Sequence, residues 1–210
     1  MLTVRQRMNG GPPDGRTRPV SRPDRPAAAR APEKRWPPGP RTAMLGAMEI
    51  REATPESWAA VWPFFHRIVA AGETFTYPVD LTADEARGWW VLPAPDRTVV
   101  AVDEATGTVL GTAKMNRNQA GNGAHVASAS FMVDPEHAGR GTGRALCLEA
   151  LRWARERGYR AMQFNAVVAS NAPAVGLYRS LGFAVVGTVP EGFHHPRLGY
   201  VDLYVMHRPL

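Results

Sequence analysis

Apolar and polar positions fall into regular periods only from Met48 onward. Met48-Glu49-Ile50-Arg51-Glu52 alternates with the period of two that marks a short strand. Thr54-Pro55-Glu56-Ser57 then reads as a helix start, with a Thr N-cap, Pro in the first turn and an acid near the positive end of the dipole. The apolar run over 58–69 continues that helix. Thr82-Ala83-Asp84-Glu85 repeats the capping pattern and predicts a second helix running toward Trp89 and Trp90. Strands follow over 98–102 and 109–115, joined by the turn Glu104-Ala105-Thr106-Gly107. A loop rich in Asn and Gly over 116–123 leads to a further strand over 124–133.

The second half carries two denser patterns. A strand ending in Phe131-Met132-Val133 runs into the glycine-rich turn Ala138-Gly139-Arg140-Gly141-Thr142-Gly143-Arg144. That turn opens an amphipathic helix with Ala145, Leu146, Leu148, Leu151 and Trp153 at apolar positions. A strand over 161–167 precedes Ser170-Asn171-Ala172-Pro173, in which Ser170 or Asn171 caps a short helix. Gly182 closes that helix before a strand over 183–186. Glu191-Gly192-Phe193-His194-His195-Pro196 reads as a loop. The alternation of strands and helices, without internal repeats, predicts one α/β domain over 48–210.

Residues 1–47 differ in kind. They hold nine of the nineteen prolines and ten basic against three acidic side chains, leaving fifteen basic and sixteen acidic in residues 48–210. The formal charge of +6 therefore belongs to this segment, and the body of the chain is near neutral. Without a hydrophobic period the segment cannot offset the entropy of ordering, so a disordered tail is expected. A motif-free basic run favours a solvated tail, or a true start at Met44 or Met48, over a nucleic-acid arm. The prolines oppose the amphipathic helix of a transit peptide. The single cysteine, Cys147, excludes an internal disulfide framework. No apolar run approaches the roughly 18 residues of a membrane span, and no signal-peptide core opens the chain. A cytoplasmic protein binding neither membrane nor nucleic acid is expected, and its strand-rich edges leave room for a homodimer.

The glycine-rich turn has the physical character of an anion site. Glycines let backbone N–H groups approach a phosphate, the helix dipole favours negative charge, and Arg140 and Arg144 add more positive potential. The spacing Gly139-x-Gly141-x-Gly143 is neither a P-loop, which ends in Lys-Ser/Thr, nor a dinucleotide fingerprint. By residue type alone, tight turning without a ligand stays open, as does a merely packed role for Tyr178.

Taken together the patterns are more specific. Val133-Asp134-Pro135, then Gly139-Arg140-Gly141-Thr142-Gly143, then Asn171-x-x-Ala174-x-x-Leu177-Tyr178-x-x-x-Gly182-Phe183 beyond a helix and a strand, resemble the GNAT (GCN5-related) N-acetyltransferases over residues 48–208. The family's phosphate motif usually begins with Gln or Arg where this chain has Ala138. The resemblance implies the GNAT acyl-CoA N-acyltransferase fold, an α/β (α+β) architecture with a mixed, mostly antiparallel central sheet flanked by helices. It implies acetyl-CoA as acyl donor, bound by Phe131, Met132, Val133, Ala138, Gly139, Arg140, Gly141, Thr142, Gly143, Arg144 and Asn171. The pantetheine would pair like an extra strand where strands four and five splay. An amine would attack the thioester directly, Tyr178 would protonate the leaving thiolate as general acid, and a backbone N–H near Val133 would stabilise the oxyanion. No metal is implied.

The finer pattern of Asn118, Asn165 and Asn171 is similar to the proline-analogue (azetidine-2-carboxylate) acetyltransferases within the family. It implies that Asn118 and Asn165 hold a small amino or imino acid; as residues alone, Asn118 and Asn171 also suit a turn and a helix cap. His125, Glu136 and His137 are candidate bases by type, His194 and His195 are nearby-loop candidates, and a water relay serves equally. Cys147 inside a helix reads as a buried, inert thiol. Acetylation of a protein or peptide, and a non-catalytic CoA-binding regulatory role, are the competing readings.

Overall fold

A computed structural model describes residues 48–210; the tail expected over 1–47 lies outside them. The elements in chain order are β1 (Met48–Glu52), α1 (Pro55–Ala70), α2 (Ala83–Trp90), β2 (Arg97–Asp103), β3 (Val109–Arg117), β4 (Val126–Val133), α3 (Thr142–Glu156), β5 (Ala161–Val168), α4 (Ala172–Ser180), β6 (Ala184–His195) and β7 (Gly199–Pro209). Both expected Thr caps form, each as a capping box. The Thr54 and Thr82 hydroxyls accept from the N–H groups of Ser57 and Glu85, whose side chains accept in return from the N–H groups of Thr54 and Thr82.

The seven strands make one sheet in the order β1-β2-β3-β4-β5-β7-β6. Every neighbouring pair is antiparallel except β4 and β5, which are parallel. Both faces are covered, as β2 shows. Val99 and Ala101 join the core beneath α3 and α4, whereas Val100 and Val102 join the core beneath α1 and α2. Successive side chains of a strand point to opposite faces, so a strand covered on both sides reads as a continuous apolar run. The α1/α2 side is anchored by Trp90, fully buried, whose indole N–H donates to Thr112 Oγ1 at 3.0 Å. That hydroxyl in turn donates to the carbonyl of Val99 at 2.8 Å.

Two expectations are corrected. The strand expected from residue 124 begins at Val126, because Gly121–Gly123 form a 3-10 turn ending in a hydrogen bond from Ala124 N–H to Gly121 O. The strand expected to end at 186 runs on to His195, so His194 and His195 are strand residues paired with Tyr200 and Gly199 of β7. Pro190 and Gly192 masked that strand from a reading of local propensity. Irregular register between Val189 and Phe193 absorbs them at this sheet edge.

The feature that positions the site is the parallel pair. β4 and β5 pair only at Val126–Ala161 and Ala127–Met162, after which no rungs join them. The Asp134 N–H bonds to Leu110 O on β3. Donor direction alternates along a strand, so the N–H groups of Phe131 and Val133 face away from β3, toward the gap. A wedge-shaped opening thus crosses the middle of the sheet, with α4 on one face and the α1–α2 connection on the other.

Candidate active site

Two cavities occupy this opening. One, of about 530 Å³, extends from Phe131–Val133 along the glycine-rich turn and the first residues of α3 to Leu177 and Tyr178. The other, of about 270 Å³, lies between Ser128–Phe131 of β4, Phe164–Val168 of β5 and the segment Thr74–Tyr77. They share Thr74, Phe75, Phe131, Asn171, Ala174 and Tyr178, so they meet at the tyrosine.

One wall of the larger cavity is built from local sequence, residues 131–144. Gly139 and Gly141 have φ of 79° and 80°, the left-handed region that an L side chain enters only with strain. Gly141 is the N-cap of α3, and no side chain caps that helix. The first hydrogen bond to a helix carbonyl runs from Ala145 to Gly141, so the N–H groups of Thr142, Gly143 and Arg144 have no carbonyl four residues back. Thr142 Oγ1 is buried without a hydrogen-bond partner although Thr142 lines the cavity. An orphaned hydroxyl, uncapped N–H groups and a positive dipole end together suit an anionic oxygen ligand. Arg144 lines the same cavity and is steadied by a 3.1 Å hydrogen bond from Nη1 to Ser180 Oγ. Ala138 also lines it; Arg140 is exposed and does not.

Tight packing holds this turn in place. A Cβ on Gly111 would stand 2.7 Å from the carbonyl oxygen of Met132 and 3.1 Å from Thr142 Cγ2, so only glycine lets α3 begin this close to β3. Arg67 of α1 reaches across to bond Asp134 Oδ1 at 2.9 Å and also pairs with Glu136. Asp134 Oδ1 accepts the N–H of Glu136 at 3.1 Å, and its Oδ2 lies 3.2 Å from His137 Nδ1. Glu136 and His137 are thus engaged in bracing the turn, and neither lines either cavity. His125 bonds to the carbonyl of Asn122 at the far end of β4 and is also outside both cavities. His195 is buried and accepts the N–H groups of Arg197 and Leu198, while the His194 ring lies tilted against Tyr200 and lines a neighbouring groove.

Tyr178 is clamped among aromatic rings, with centroids of Phe164 at 4.6 Å and of Phe131 and Phe183 at 6.1 Å. Burial there, with a smaller contribution from Cys147, pushes its hydroxyl pKa above the ordinary phenol value. Cys147 is itself fully buried, and its pKa is pushed up to about 12 by burial. A thiol so disfavoured as thiolate is not poised for nucleophilic attack. Asn171 caps α4 by accepting the N–H of Ala174 at 3.3 Å and lines both cavities.

Among the described residues no charged side chain lines the smaller cavity; hydroxyl, amide, aromatic and aliphatic groups line it. Asn165 lines it, and its Nδ2 donates to Asn118 Oδ1 at 2.6 Å while its Oδ1 accepts from Gln163 at 2.8 Å. Asn118 stands behind Asn165 rather than lining the cavity. Ser128, Ser130 and the segment Thr74–Tyr77 were not among the residues singled out from sequence. No period or motif marks them, and only the splay of β4 from β5 brings them together.

Residues 61–183 match the acetyltransferase (GNAT) family. The chain belongs to the GNAT acetyltransferases. It is similar to a GCN5-related N-acetyltransferase structure from Kribbella flavida, 57% identical, with a TM-score of 0.76 over 78% of this chain and 98% of that one. It is similar to the L-amino acid N-acyltransferase MnaT of Escherichia coli, 28% identical over 69% of this chain and 84% of the relative. It also resembles the yncA acetyltransferase structure from Salmonella typhimurium, which contains its cofactor acetyl-CoA. That structure is 26% identical, with a TM-score of 0.65 over 78% of this chain and 94% of the other. The sheet and its flanking helices are those of the GNAT fold, and the protein is an acetyl-CoA-dependent N-acetyltransferase. Among the described residues no helix is long and apolar enough to cross a membrane.

Proposed function

We propose that this GNAT enzyme acetylates the amine of a small amino or imino acid, with Tyr178 as general acid. The observation that carries the reading is the meeting of the two cavities at Tyr178. The larger, with its uncapped helix start and orphaned Thr142 hydroxyl, suits the phosphates of an acyl donor. The smaller, of about 270 Å³, has the size of a small acceptor. That the relative MnaT is an L-amino acid N-acyltransferase agrees with an amino-acid acceptor.

In this reading Phe131, Met132 and Val133 offer backbone groups to the pantetheine. Gly139, Gly141, Thr142, Gly143 and Arg144 hold the phosphates, with Ala138 beside them and Arg140 contributing only long-range charge. Bound acetyl-CoA supplies an electrophilic thioester, at which the amide C–N bond forms and the C–S bond breaks. The Val133 N–H, facing the gap, stabilises the oxyanion. Tyr178 O–H delivers a proton to the departing sulfur, and the proton lost from the amine returns to Tyr178 through water, so the hydroxyl is regenerated. A raised phenol pKa keeps Tyr178 protonated, and the same desolvation raises the proton affinity of the thiolate it serves. Among the described residues no carboxylate lines the acceptor cavity to hold an ammonium, which favours entry of the neutral amine without a dedicated base. Asn165, buttressed by Asn118, and Asn171 orient the acceptor's polar groups.

The test is thiol release from acetyl-CoA by the full chain, against amino acids, azetidine-2-carboxylate, polyamines and a Lys-rich peptide. Turnover confined to the small amino or imino acids supports the proposal. Preference for the peptide supports protein acetylation instead. Acetyl-CoA binding with no turnover across the panel supports the regulatory reading.

A further inference from the structure

The acceptor cavity lacks charge, yet an ammonium stands directly behind its wall. Lys114 lies on β3 opposite Ser130 of β4. Cross-strand partners share a face of the sheet, so the Lys114 side chain projects on the α1/α2 side together with those of Ser128 and Ser130, which line the cavity. Its Nζ donates to the carbonyl of Trp89 at 2.9 Å and sits 5.6 Å from the ring centroid of Tyr77 and 5.4 Å from that of Trp90. Tyr77 is a cavity residue. Burial lowers the Lys114 pKa. Half-buried, with one of its three N–H donors engaged by Trp89, this cation has the aromatic rings for company and no carboxylate partner among the described residues.

An ammonium without a counterion costs desolvation energy that cation–π contacts only partly offset. Its field reaches a partly enclosed cavity, where opposite charge is stabilised and like charge repelled more strongly than in bulk water. Two consequences follow for an acceptor. A negative group at the Ser128–Ser130 side of the cavity is attracted, and a second cationic centre, as in a polyamine, is rejected.

Building on the proposed small-amine transfer, we infer that Lys114 is the specificity-determining residue of the acceptor site, selecting amines that carry a carboxylate. Carboxylate recognition rests on this lysine together with the amide pair Asn165–Asn118.

The experiment compares acids with their decarboxylated amines on the full chain: azetidine-2-carboxylate with azetidine, L-proline with pyrrolidine, and L-methionine with 3-(methylthio)propylamine. The wild-type enzyme is expected to favour the acid of each productive pair by more than tenfold in kcat/KM. Lys114→Met should erase that preference chiefly by raising KM for the acid, with KM for acetyl-CoA and turnover of the decarboxylated amine within about twofold. Lys114→Arg should restore much of the preference. A purely structural lysine would instead lower the melting temperature and depress both members of a pair alike. Should Lys114→Met fold poorly, Lys114→Gln and the wild-type ratios decide. A wild-type enzyme indifferent to the carboxylate, or a variant that keeps the preference, overturns the inference and leaves small-amine transfer standing. Wild-type turnover of neither set, with acetyl-CoA binding intact, overturns the reading beneath it and the inference with it.

Discussion

The two sides of the sheet opening are made differently. On the donor side, the end of β4, the glycine-rich turn and the start of α3 occupy one unbroken stretch of chain, residues 131–144. On the acceptor side, Thr74–Tyr77, Ser128–Phe131 and Phe164–Val168 come from three separated stretches that meet only in the folded sheet. The donor side is stiff by construction, with two left-handed glycines, a helix start and the Arg67 brace. The acceptor side owes its shape to side chains packed across a gap, so exchanging a few of them alters the ligand without disturbing the frame. A shared acyl donor and a variable acceptor map onto these two constructions.

Tyr178 belongs to both sides, and its removal should have the largest effect. Tyr178→Phe is expected to lower turnover by more than tenfold while acetyl-CoA binding, followed calorimetrically, is unchanged; equal turnover would remove it from the acid role. Because burial raises its pKa, the protonated form persists beyond the ordinary phenol value of about 10. Turnover should accordingly show no alkaline decline attributable to Tyr178 below about pH 10. A decline near pH 8 that vanishes in Tyr178→Phe would contradict the apolar setting described.

The donor side alone is probed by Gly141→Ala. Forcing a side chain into φ near 80° costs about 1–2 kcal/mol. KM for acetyl-CoA should rise several-fold while discrimination among acceptors stays the same. Arg67→Ala tests the brace more gently. Released from Arg67, the turn over 134–137 should raise KM for acetyl-CoA by about two- to threefold, and acceptor KM should not move. An effect on acceptor choice from either variant would dissolve the distinction between the two sides. The smallest effect is expected at Cys147. Buried and held as a thiol, it should resist alkylation in the native enzyme, and reagent treatment should leave activity unchanged.

Legibility in the sequence follows the same division. The capping residues Thr54, Thr82 and Asn171 stated where helices start, because a cap is a contact between residues two or three apart. The glycine-rich turn and Tyr178 were visible for a similar reason, each lying in a short local pattern. β6 was misjudged from Val186 onward because Pro190 and Gly192 disfavour a strand locally, and pairing with β7 overrides that disfavour. His194 and His195 consequently looked like loop groups able to approach the chemistry, whereas pairing fixes them at the sheet edge. The resemblance gives Asn118 and Asn165 each to the substrate and implies no contact between them, whereas a 2.6 Å hydrogen bond joins the two from the loop after β3 and from β5.

The sequence by itself determined the order of elements, the helix starts, the glycine conformations of the turn and the family pattern, all of which depend on residues near one another in the chain. Only the tertiary structure decided that β4 and β5 part after two rungs, that two cavities meet at Tyr178, and that Lys114 stands behind Ser130 and Tyr77 with no carboxylate partner among the described residues. Those facts depend on strand register and on burial from several directions at once. Neither is encoded in any local stretch, because burial and charge pairing are properties of the whole packed chain.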